Sequence, residues 1–482
     1  MSKQQGLVTA TRREFLQAGA AVAGTMAASA KGVAQSKEKR PNILFILGEG
    51  HRWDCLSIAG HPILKTPNHD RIGHEGARFT NAFCTNALCA PARATILTGL
   101  WSRTSGMLDN KAIHSPMPSD IPIITDLLHE AGYEVALVGK AHVRNGVKER
   151  YWDYYFGFNA PNTNYYAPKF AEGRKGVIGE EKEYHQYADD LVTDKALAWL
   201  KEDRGDKPWA LLLWYQTPHA PFFRPRRLLD LYNGVHIPKP PTFDDDLKGY
   251  PGKPKPFVDA DNKIGTLDTQ DAVRSLEELC KDYYAGIVAL DENVGRMFDY
   301  MQSTGQMDDT AIMHTSDHGF LLGEWRLFDK RLMHEPSIRI PMMLRYPKRI
   351  KPGVVRDAMV LDVDIAPTLL DLAGVKIPAN WEGKSMLPLT VADQPDWRDE
   401  WLYDYYEYPG WENVMPHRGV RTKTHKLIDW YTNPGTFEMY DLVNDPLERT
   451  NLYGNPEYAG TQKDLHVRLE RMLRDMPTRK EA

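Results

Sequence analysis

The chain has 482 residues, 42% of them hydrophobic, so it can bury a large core and is long for a single domain. Its 60 basic and 65 acidic residues give a formal net charge of −5, which argues against a nucleic-acid-binding protein, because such proteins carry a basic excess. Four cysteines, Cys55, Cys84, Cys89 and Cys280, are too few for a disulfide scaffold.

The first 36 residues have the features of an export signal. Residues 11–16 read Thr-Arg-Arg-Glu-Phe-Leu, which resembles a twin-arginine motif, and an Ala- and Gly-rich apolar stretch follows at 18–30. This stretch is too short and too weakly apolar to span a membrane. We therefore predict a twin-arginine signal peptide over 1–36, contact with the twin-arginine export machinery, and a periplasmic or secreted mature protein without a membrane span. The alternative is a disordered basic leader.

Five short apolar runs predict buried strands, and helical patterns at 123–132, 190–202 and around 287–301 separate several of them. The runs lie at 42–47, 134–138, 209–215, 311–315 and 341–346. Continuous apolar runs are typical of parallel strands that are covered on both faces. The alternation of strands and helices predicts an α/β fold in which helices lie on both sides of an open sheet.

Two regions depart from this alternation. Residues 232–270 are rich in Pro, Asp, Lys and Gly, which predicts a long surface insertion of the kind that often shapes a substrate site. From residue 396 onward, segments at 419–421, 425–431 and 437–442 predict antiparallel strands, and 460–476 predicts an amphipathic helix. We therefore expect a catalytic α/β domain over 40–395 and a smaller C-terminal α+β subdomain over 396–482.

The run Cys89-Ala90-Pro91-Ala92-Arg93 predicts the first turn of a short helix, because Pro91 suits a first-turn position and Gly99 suits a C-terminal cap. A nucleophile at a helix N-terminus lies at the positive end of the helix dipole, where an anionic substrate is also favoured. The alternatives are a buried structural cysteine beside a proline turn, or a disulfide between Cys84 and Cys89 that would consume the nucleophile.

Polar residues follow four of the predicted strands. In chain order they are Glu49-Gly50-His51, Lys140-Ala141-His142, Thr217-Pro218-His219 and Ser316-Asp317-His318. Ligands of open α/β sheets bind at the carboxyl ends of the strands, so these four ends are predicted to converge on one site.

Taken together, the Cys-x-Pro-x-Arg run and these strand ends resemble the type I, formylglycine-dependent sulfatases of the alkaline phosphatase superfamily, over nearly the whole chain after residue 40. The resemblance implies an alkaline-phosphatase-like mixed, mostly parallel sheet. It implies that a formylglycine-generating enzyme oxidises Cys89 and that the hydrated aldehyde is the nucleophile of sulfate ester hydrolysis. The 12 Trp and 23 Tyr suit carbohydrate stacking, so we expect a bacterial polysaccharide- or glycosaminoglycan-type enzyme acting on sulfated sugars or polysaccharide fragments.

The resemblance also implies roles for single residues. Lys140 and His142 would hold the hydrate and the sulfate, His219 would face the leaving-group oxygen, and Lys330 would bind sulfate. The implied catalytic set is Cys89, Arg93, Lys140, His142, His219 and Lys330, and the implied metal ligands are Glu49, Cys89, Asp317 and His318. Arg224 follows the His219 loop and is assigned to substrate binding, with a solvated basic turn as the alternative.

One position departs from the family pattern. Most relatives place Asp-Asp or Asp-Gln after the first strand, whereas this chain has Glu49-Gly50, so one ligand side chain is missing. We expect either weaker metal binding or compensation by His51 or Asp54. An oxygen-rich ligand set favours Ca²⁺, with Mg²⁺ or Mn²⁺ as alternatives, since His318 also suits softer cations.

Two other functions stay open at this point. A phosphonate or phosphate ester hydrolase of the same superfamily would bind a substrate of the same tetrahedral shape. A non-catalytic glycan-binding relative would explain Gly50 as a sign that the metal has been lost.

Overall fold

The computed structural model describes residues 39–110, 117–143, 150–245, 253–261, 264, 275–394, 396–410 and 412–479. The predicted signal peptide and parts of the predicted insertion lie outside these ranges. The backbone forms two units, Met1–Arg40 and Pro41–Ala482, and every element below belongs to the second. Among the residues described, no helix has both the length and the apolar character that a membrane span requires.

Seventeen strands occur within the described ranges. They are β1 Asn42–Gly48, β2 Ala77–Phe83, β3 Glu134–Lys140, β4 Tyr154–Phe158, β5 Lys169–Arg174, β6 Val177–Ile178, β7 Lys182–Glu183, β8 Trp209–Trp214, β9 Thr310–Ser316, β10 Leu321–Leu322, β11 Phe328–Asp329, β12 Met342–Arg345, β13 Val354–Leu361, β14 Glu400–Tyr405, β15 His417–Thr422, β16 His425–Asp429 and β17 Phe437–Asp441. Eleven of these strands form the central sheet, in the order β13-β2-β12-β9-β1-β8-β3-β4-β5-β6, and β7 pairs with β5.

The centre of this sheet is parallel. β1 pairs in parallel with β8 on one side and with β9 on the other, and β3 pairs in parallel with both β8 and β4. This confirms the predicted mixed, mostly parallel sheet. The predicted strand at 341–346 also forms, but β12 runs antiparallel to both β9 and β2, so its prediction as a parallel strand was wrong. No long crossover helix lies between β9 and β12, whose connecting residues are all described, and a parallel return would need one.

Helices cover both faces of the sheet. They are α1 Pro67–His74, α2 Cys89–Thr98, α3 Ser102–Ser105, α4 Ile124–Glu130, α5 Ala188–Leu200, α6 Lys255–Val258, α7 Leu276–Ser303, α8 Glu335–Ile338, α9 Ile365–Leu372, α10 Leu387–Val391 and α11 Ala459–Asp475. Alternate side chains of β1 enter two different cores, as a strand period of two requires. Phe45 packs in the core that includes residues of α2, α4 and α9, whereas Leu44 packs in the core that includes residues of α5 and α7.

The C-terminal region forms a separate antiparallel sheet in the order β14-β15-β16-β17. Helix α11 packs on it, because Leu465 and Leu469 join a buried cluster with Leu402, Val420 and Leu427. The three predicted strands and the final helix are present, and β14 is an additional strand that the sequence did not predict. The sheet begins inside the predicted 396–482 subdomain, and the boundary at 395/396 itself stays a prediction.

Candidate active site

The carboxyl ends of neighbouring strands bring the predicted site residues together. Glu49 follows β1 directly and Asp317 follows β9, the parallel neighbour of β1. Lys140 is the last residue of β3, and His219 lies in the loop after β8. Because β8 lies between β1 and β3, these four positions share one edge of the sheet.

The four predicted metal ligands form one buried group. Glu49, Cys89, Asp317 and His318 are each at most 2% exposed, and one donor atom from each lies within 4.8 Å of the others. His318 Nε2 lies 3.5 Å from Cys89 Sγ and 3.5 Å from Asp317 Oδ1. Two carboxylates and one imidazole around position 89 match the donors that divalent cations bind, so these residues fit a metal ion.

The backbone explains why position 50 is glycine. Gly50 has a φ of +66°, and a Cβ atom there would lie 3.2 Å from both His318 Cε1 and Phe320 Cδ2. Gly50 N donates a hydrogen bond of 3.0 Å to Asp317 Oδ1. The His318 ring therefore occupies the space beside Gly50 that a side chain at position 50 would need.

We expect Gly50→Asp, which restores an acidic side chain of the family pattern, to weaken metal binding. Left-handed backbone at a non-glycine residue costs about 1–3 kcal/mol, and the new side chain would displace His318. Gly60→Asp is the matched control, since Gly60 has a φ of +90° and a Cβ atom there would meet none of the described residues within 4 Å. Thermal melting and calcium titration of both variants test this, and tighter binding by Gly50→Asp would contradict it.

The two residues that were expected to compensate for Gly50 point elsewhere. His51 Nε2 lies 2.9 Å from the carbonyl oxygen of Cys55, and its ring packs against the buried rings of His69 and His314. Asp54 accepts hydrogen bonds of 2.8 and 2.7 Å from Arg52. Neither side chain belongs to the metal-ligand group found among the described residues, so compensation by His51 or Asp54 is not supported, and the other alternative, weaker metal binding, stays a prediction.

Two cations hold Glu49 in its charged form. Lys140 Nζ donates to Glu49 Oε1 at 2.7 Å, and Arg93 Nη2 donates to Glu49 Oε2. Arg93 also donates to Asp317 Oδ2 at 3.2 Å and to the carbonyl oxygen of Lys140 at 2.6 Å. Burial alone would raise the pKa of Glu49, but Lys140 and Arg93 hold it at about 2. Each carboxylate oxygen keeps a further lone pair with which to bind a cation.

Cys89 is the first residue of α2, as predicted, and the whole helix is buried. Gly99 ends the helix with a φ of +63°, and its N–H donates to the carbonyl oxygen of Thr95 at 2.9 Å. All four cysteines are free thiols, so the alternative disulfide between Cys84 and Cys89 does not form here. Burial would raise the pKa of Cys89, but the ammonium groups of Lys330 and Lys140 outweigh burial and hold it well below its usual value.

The other predicted catalytic residues lie around this thiol. His142 has a φ of +46°, and burial together with Lys140 lowers its pKa to about 4, so its ring is neutral. Lys330 is buried beside Asp329, whose Oδ1 lies 3.3 Å from Lys330 Nζ. Asp329 also has positive φ, and conformations of this kind cluster at functional sites.

His219 is oriented by its own loop. Its Nδ1 lies 2.6 Å from the carbonyl oxygen of Ala220, which requires Nδ1 to carry a proton. Its Nε2 lies 3.9 Å from Glu49 Oε1, so this nitrogen faces the metal-ligand group. The Nε2 atom of the imidazole is thus directed toward the site.

Arg224 pairs with Asp282 of α7 at 2.9 Å rather than with any of the metal-ligand residues. Its predicted role in substrate binding stays a prediction.

The sequence motifs did not identify two acidic residues that lie near the site. Glu412 pairs with Arg331, and Glu407 accepts a hydrogen bond of 2.9 Å from Asn110 N, whose side chain accepts the N–H of Ala90 in α2.

The sheet order and the site at its carboxyl edge place the chain in the alkaline-phosphatase-like class of hydrolases. The sulfatase family model matches residues 41–375, and a model described as N-sulphoglucosamine sulphohydrolase, C-terminal, matches residues 323–475. The chain belongs to the sulfatase family and is a sulfuric ester hydrolase. Enzymes of this family generally use a metal ion and formylglycine.

Individual relatives agree with this assignment. The chain is 34% identical to an N-acetylglucosamine-6-O-sulfatase of Bacteroides thetaiotaomicron, over 90% of this chain and 87% of the relative. It is 28% identical to an ulvan-active sulfatase of Formosa agariphila, over 92% and 83%. A solved structure in complex with its substrate D-glucosamine-2-N,6-O-disulfate is 33% identical, with a TM-score of 0.82 over 90% of this chain and 98% of that one. A phosphonate monoester hydrolase of Agrobacterium radiobacter, 20% identical over 91% and 96% with a TM-score of 0.74, shares the fold.

Proposed function

We propose that this sulfatase hydrolyses the 6-O-sulfate ester of glucosamine-type sugars, through a formylglycine made from Cys89 by a formylglycine-generating enzyme. One observation carries the mechanism. Cys89 begins a buried helix, lies within the group of predicted metal ligands, and is influenced by the charges of Lys140 and Lys330. The substrate class is supported by the relatives named for N-acetylglucosamine-6-O-sulfatase activity and for binding a glucosamine disulfate.

Glu49, Asp317, His318 and residue 89 would hold a divalent cation, for which we propose Ca²⁺ because most of these donors are oxygen atoms. When bound, such an ion supplies positive charge that activates an oxygen nucleophile and neutralises sulfate oxygens. Oxidation of Cys89 to the aldehyde provides, after hydration, two hydroxyl groups on one carbon. One attacks sulfur, and loss of the proton from the other expels sulfate and restores the aldehyde.

The remaining residues bind the sulfate and move protons. Lys140 and Lys330 both act on position 89 as positive charges, and they bind the sulfate oxygens on which negative charge builds up. His219 donates the proton at Nε2 to the departing sugar oxygen as the sulfur–oxygen bond breaks. His142, a neutral ring of low pKa, accepts the proton of the second hydroxyl group.

Export is part of the same proposal. Residues 1–36 would direct the folded protein through the twin-arginine pathway, which allows Cys89 to be modified before the chain leaves the cytoplasm. The motif at 11–16 supports this proposal. Sequencing the N-terminus of the protein recovered from the periplasm tests it.

The test of the function combines mass spectrometry and substrate screening. Protein made with a formylglycine-generating system is digested with trypsin, and the peptide 79–93 is fragmented so that Cys84 and Cys89 are resolved. We expect the aldehyde at position 89 and release of sulfate from N-acetylglucosamine-6-sulfate, with slower hydrolysis of 4-nitrophenyl phosphate than of 4-nitrophenyl sulfate. An intact thiol would contradict the mechanism for that preparation, and faster phosphate hydrolysis would favour the phosphonate or phosphate ester hydrolase.

A further inference from the structure

A buried carboxylate outside the metal-ligand group has no cationic partner among the residues described. Asp189, the second residue of α5, is 1% exposed. Burying an unpaired carboxylate is costly, and burial here raises the pKa of Asp189 to about 6. A buried carboxylate of this kind needs hydrogen-bond donors, and the donors that Asp189 binds indicate which part of the structure it holds in place.

Asp189 binds the backbone of the loop that carries His219. Its Oδ1 accepts the N–H of Gln216 at 3.2 Å, and its Oδ2 accepts the N–H of Thr217 at 3.0 Å. The carbonyl oxygen of Thr217 in turn accepts the N–H of Glu49 at 3.1 Å. The Thr217 residue therefore links Asp189 to the backbone of a predicted metal ligand.

Further hydrogen bonds, made by residues outside α5, hold the same loop. The side-chain amide of Gln216 makes reciprocal hydrogen bonds with the backbone of Thr163, at 2.7 and 2.9 Å. The hydroxyl of Tyr165 donates to the carbonyl oxygen of His219 at 2.8 Å. With the backbone fixed on both sides of Pro218, the direction of the His219 ring depends on these contacts.

We propose that Asp189 is a positioning residue for proton transfer, because its carboxylate fixes the Gln216 and Thr217 N–H groups and thereby aims His219 Nε2 at the leaving oxygen. The inference rests on the proposed role of His219. The step that it supports begins from a hydrate whose attacking hydroxyl group has already released its proton to water. The bond from that oxygen to sulfur forms, the bond from sulfur to the ester oxygen breaks, and one proton moves from Nε2 to the ester oxygen. Displacement of Nε2 would slow this step for an ester whose leaving oxygen needs the proton and would have little effect on an ester whose leaving group departs as an anion.

The test compares leaving groups. Nitrophenolate leaves without protonation, whereas the alkoxide of a sugar needs a proton in the transition state. We expect Asp189→Asn, which keeps one oxygen acceptor and loses the other, to lower kcat for N-acetylglucosamine-6-sulfate about 10- to 100-fold, a fraction of what a general acid contributes. For 4-nitrophenyl sulfate we expect less than about a 3-fold change, and KM should be nearly constant for both.

Asp291→Asn is the matched control. Asp291 is 3% exposed and also accepts two backbone N–H groups, from Asn68 at 3.2 Å and His69 at 2.8 Å. Its segment does not carry a predicted catalytic residue, so the variant should lower the melting temperature and leave the ratio of the two kcat values unchanged. Tyr165→Phe is the second test variant if Asp189→Asn does not fold, and it should show the same selective loss in smaller degree.

Equal losses on both esters in Asp189→Asn, or in Tyr165→Phe, would overturn the inference, as would a selective loss in Asp291→Asn. His219→Ala should reproduce the selective loss, and adding Asp189→Asn to it should have little further effect, since both changes act on one proton transfer. A wild-type enzyme that carries the aldehyde and hydrolyses neither ester would contradict the proposed function itself, and the inference with it.

Discussion

Cys89→Ser is expected to stop turnover after a single sulfuryl transfer. A serine hydroxyl can attack sulfur from the same helix position, but one hydroxyl group cannot expel sulfate in the way that the second hydroxyl of an aldehyde hydrate does. Multiple turnover should fall by roughly 10⁵-fold or more, the order seen when an enzyme loses its nucleophile. Intact-protein mass spectrometry after incubation with substrate should show one covalently bound sulfo group.

Two controls make this result specific. Cys89→Ala lacks any nucleophile and should show neither turnover nor the covalent sulfo group. Cys84→Ala removes a neighbouring thiol that is equally buried, yet lies outside the metal-ligand group, so it should keep its activity. Full activity in Cys89→Ser, or a sulfo group on any residue other than Ser at position 89, would refute the formylglycine mechanism.

The fold could be predicted where one physical rule governs a segment. Residues 43–47 of β1 are all apolar because both faces of the strand are covered, and the structure places Phe45 and Leu44 in two different cores. Direction is not encoded in such a run, so β12 was predicted to be parallel like its neighbours and is antiparallel. Strand β14 was missed because Glu400 and Asp404 interrupt its apolar residues, while its two faces, represented by Trp401 and Leu402, are both buried. The segment therefore shows neither a continuous apolar run nor a regular alternation.

The site could be predicted to the extent that strand ends define it. Glu49 and Asp317 end adjacent parallel strands, so topology alone places them together. Residues one or two positions further along depend on local turns. His51 N donates to Ser316 Oγ at 2.8 Å, and the His51 side chain enters the core, not the site. Glu407 approaches α2 through Asn110 from a segment some 300 residues away, which short-range patterns do not encode.

Glu49→Gln should weaken metal retention and slow catalysis. The amide keeps the size of the side chain and loses its charge, so Arg93 and Lys140 would lose the carboxylate that they share. Breaking such a buried pair costs about 3–5 kcal/mol, and the remaining cations would repel a divalent ion. We expect less than stoichiometric Ca²⁺ by elemental analysis and a fall in kcat/KM of roughly 10³-fold, of the order expected from losing several kcal/mol of transition-state stabilisation by a metal.

Glu335→Gln separates the loss of metal from the loss of stability. Glu335 is also a buried carboxylate with two cationic partners, Arg421 at 3.1 Å and Lys426 at 3.0 Å, and it lies outside the metal-ligand group. Its substitution should lower the melting temperature while the folded protein still binds one Ca²⁺ and turns over substrate. If Glu49→Gln keeps its metal, the ligand role of Glu49 is wrong. If Mn²⁺ restores activity to chelator-treated wild type and Ca²⁺ does not, the choice of Ca²⁺ is wrong. Gly50 has no side chain, so Glu49 is the one predicted side-chain ligand at the end of β1, and Glu49→Gln removes every ligand predicted for this strand end.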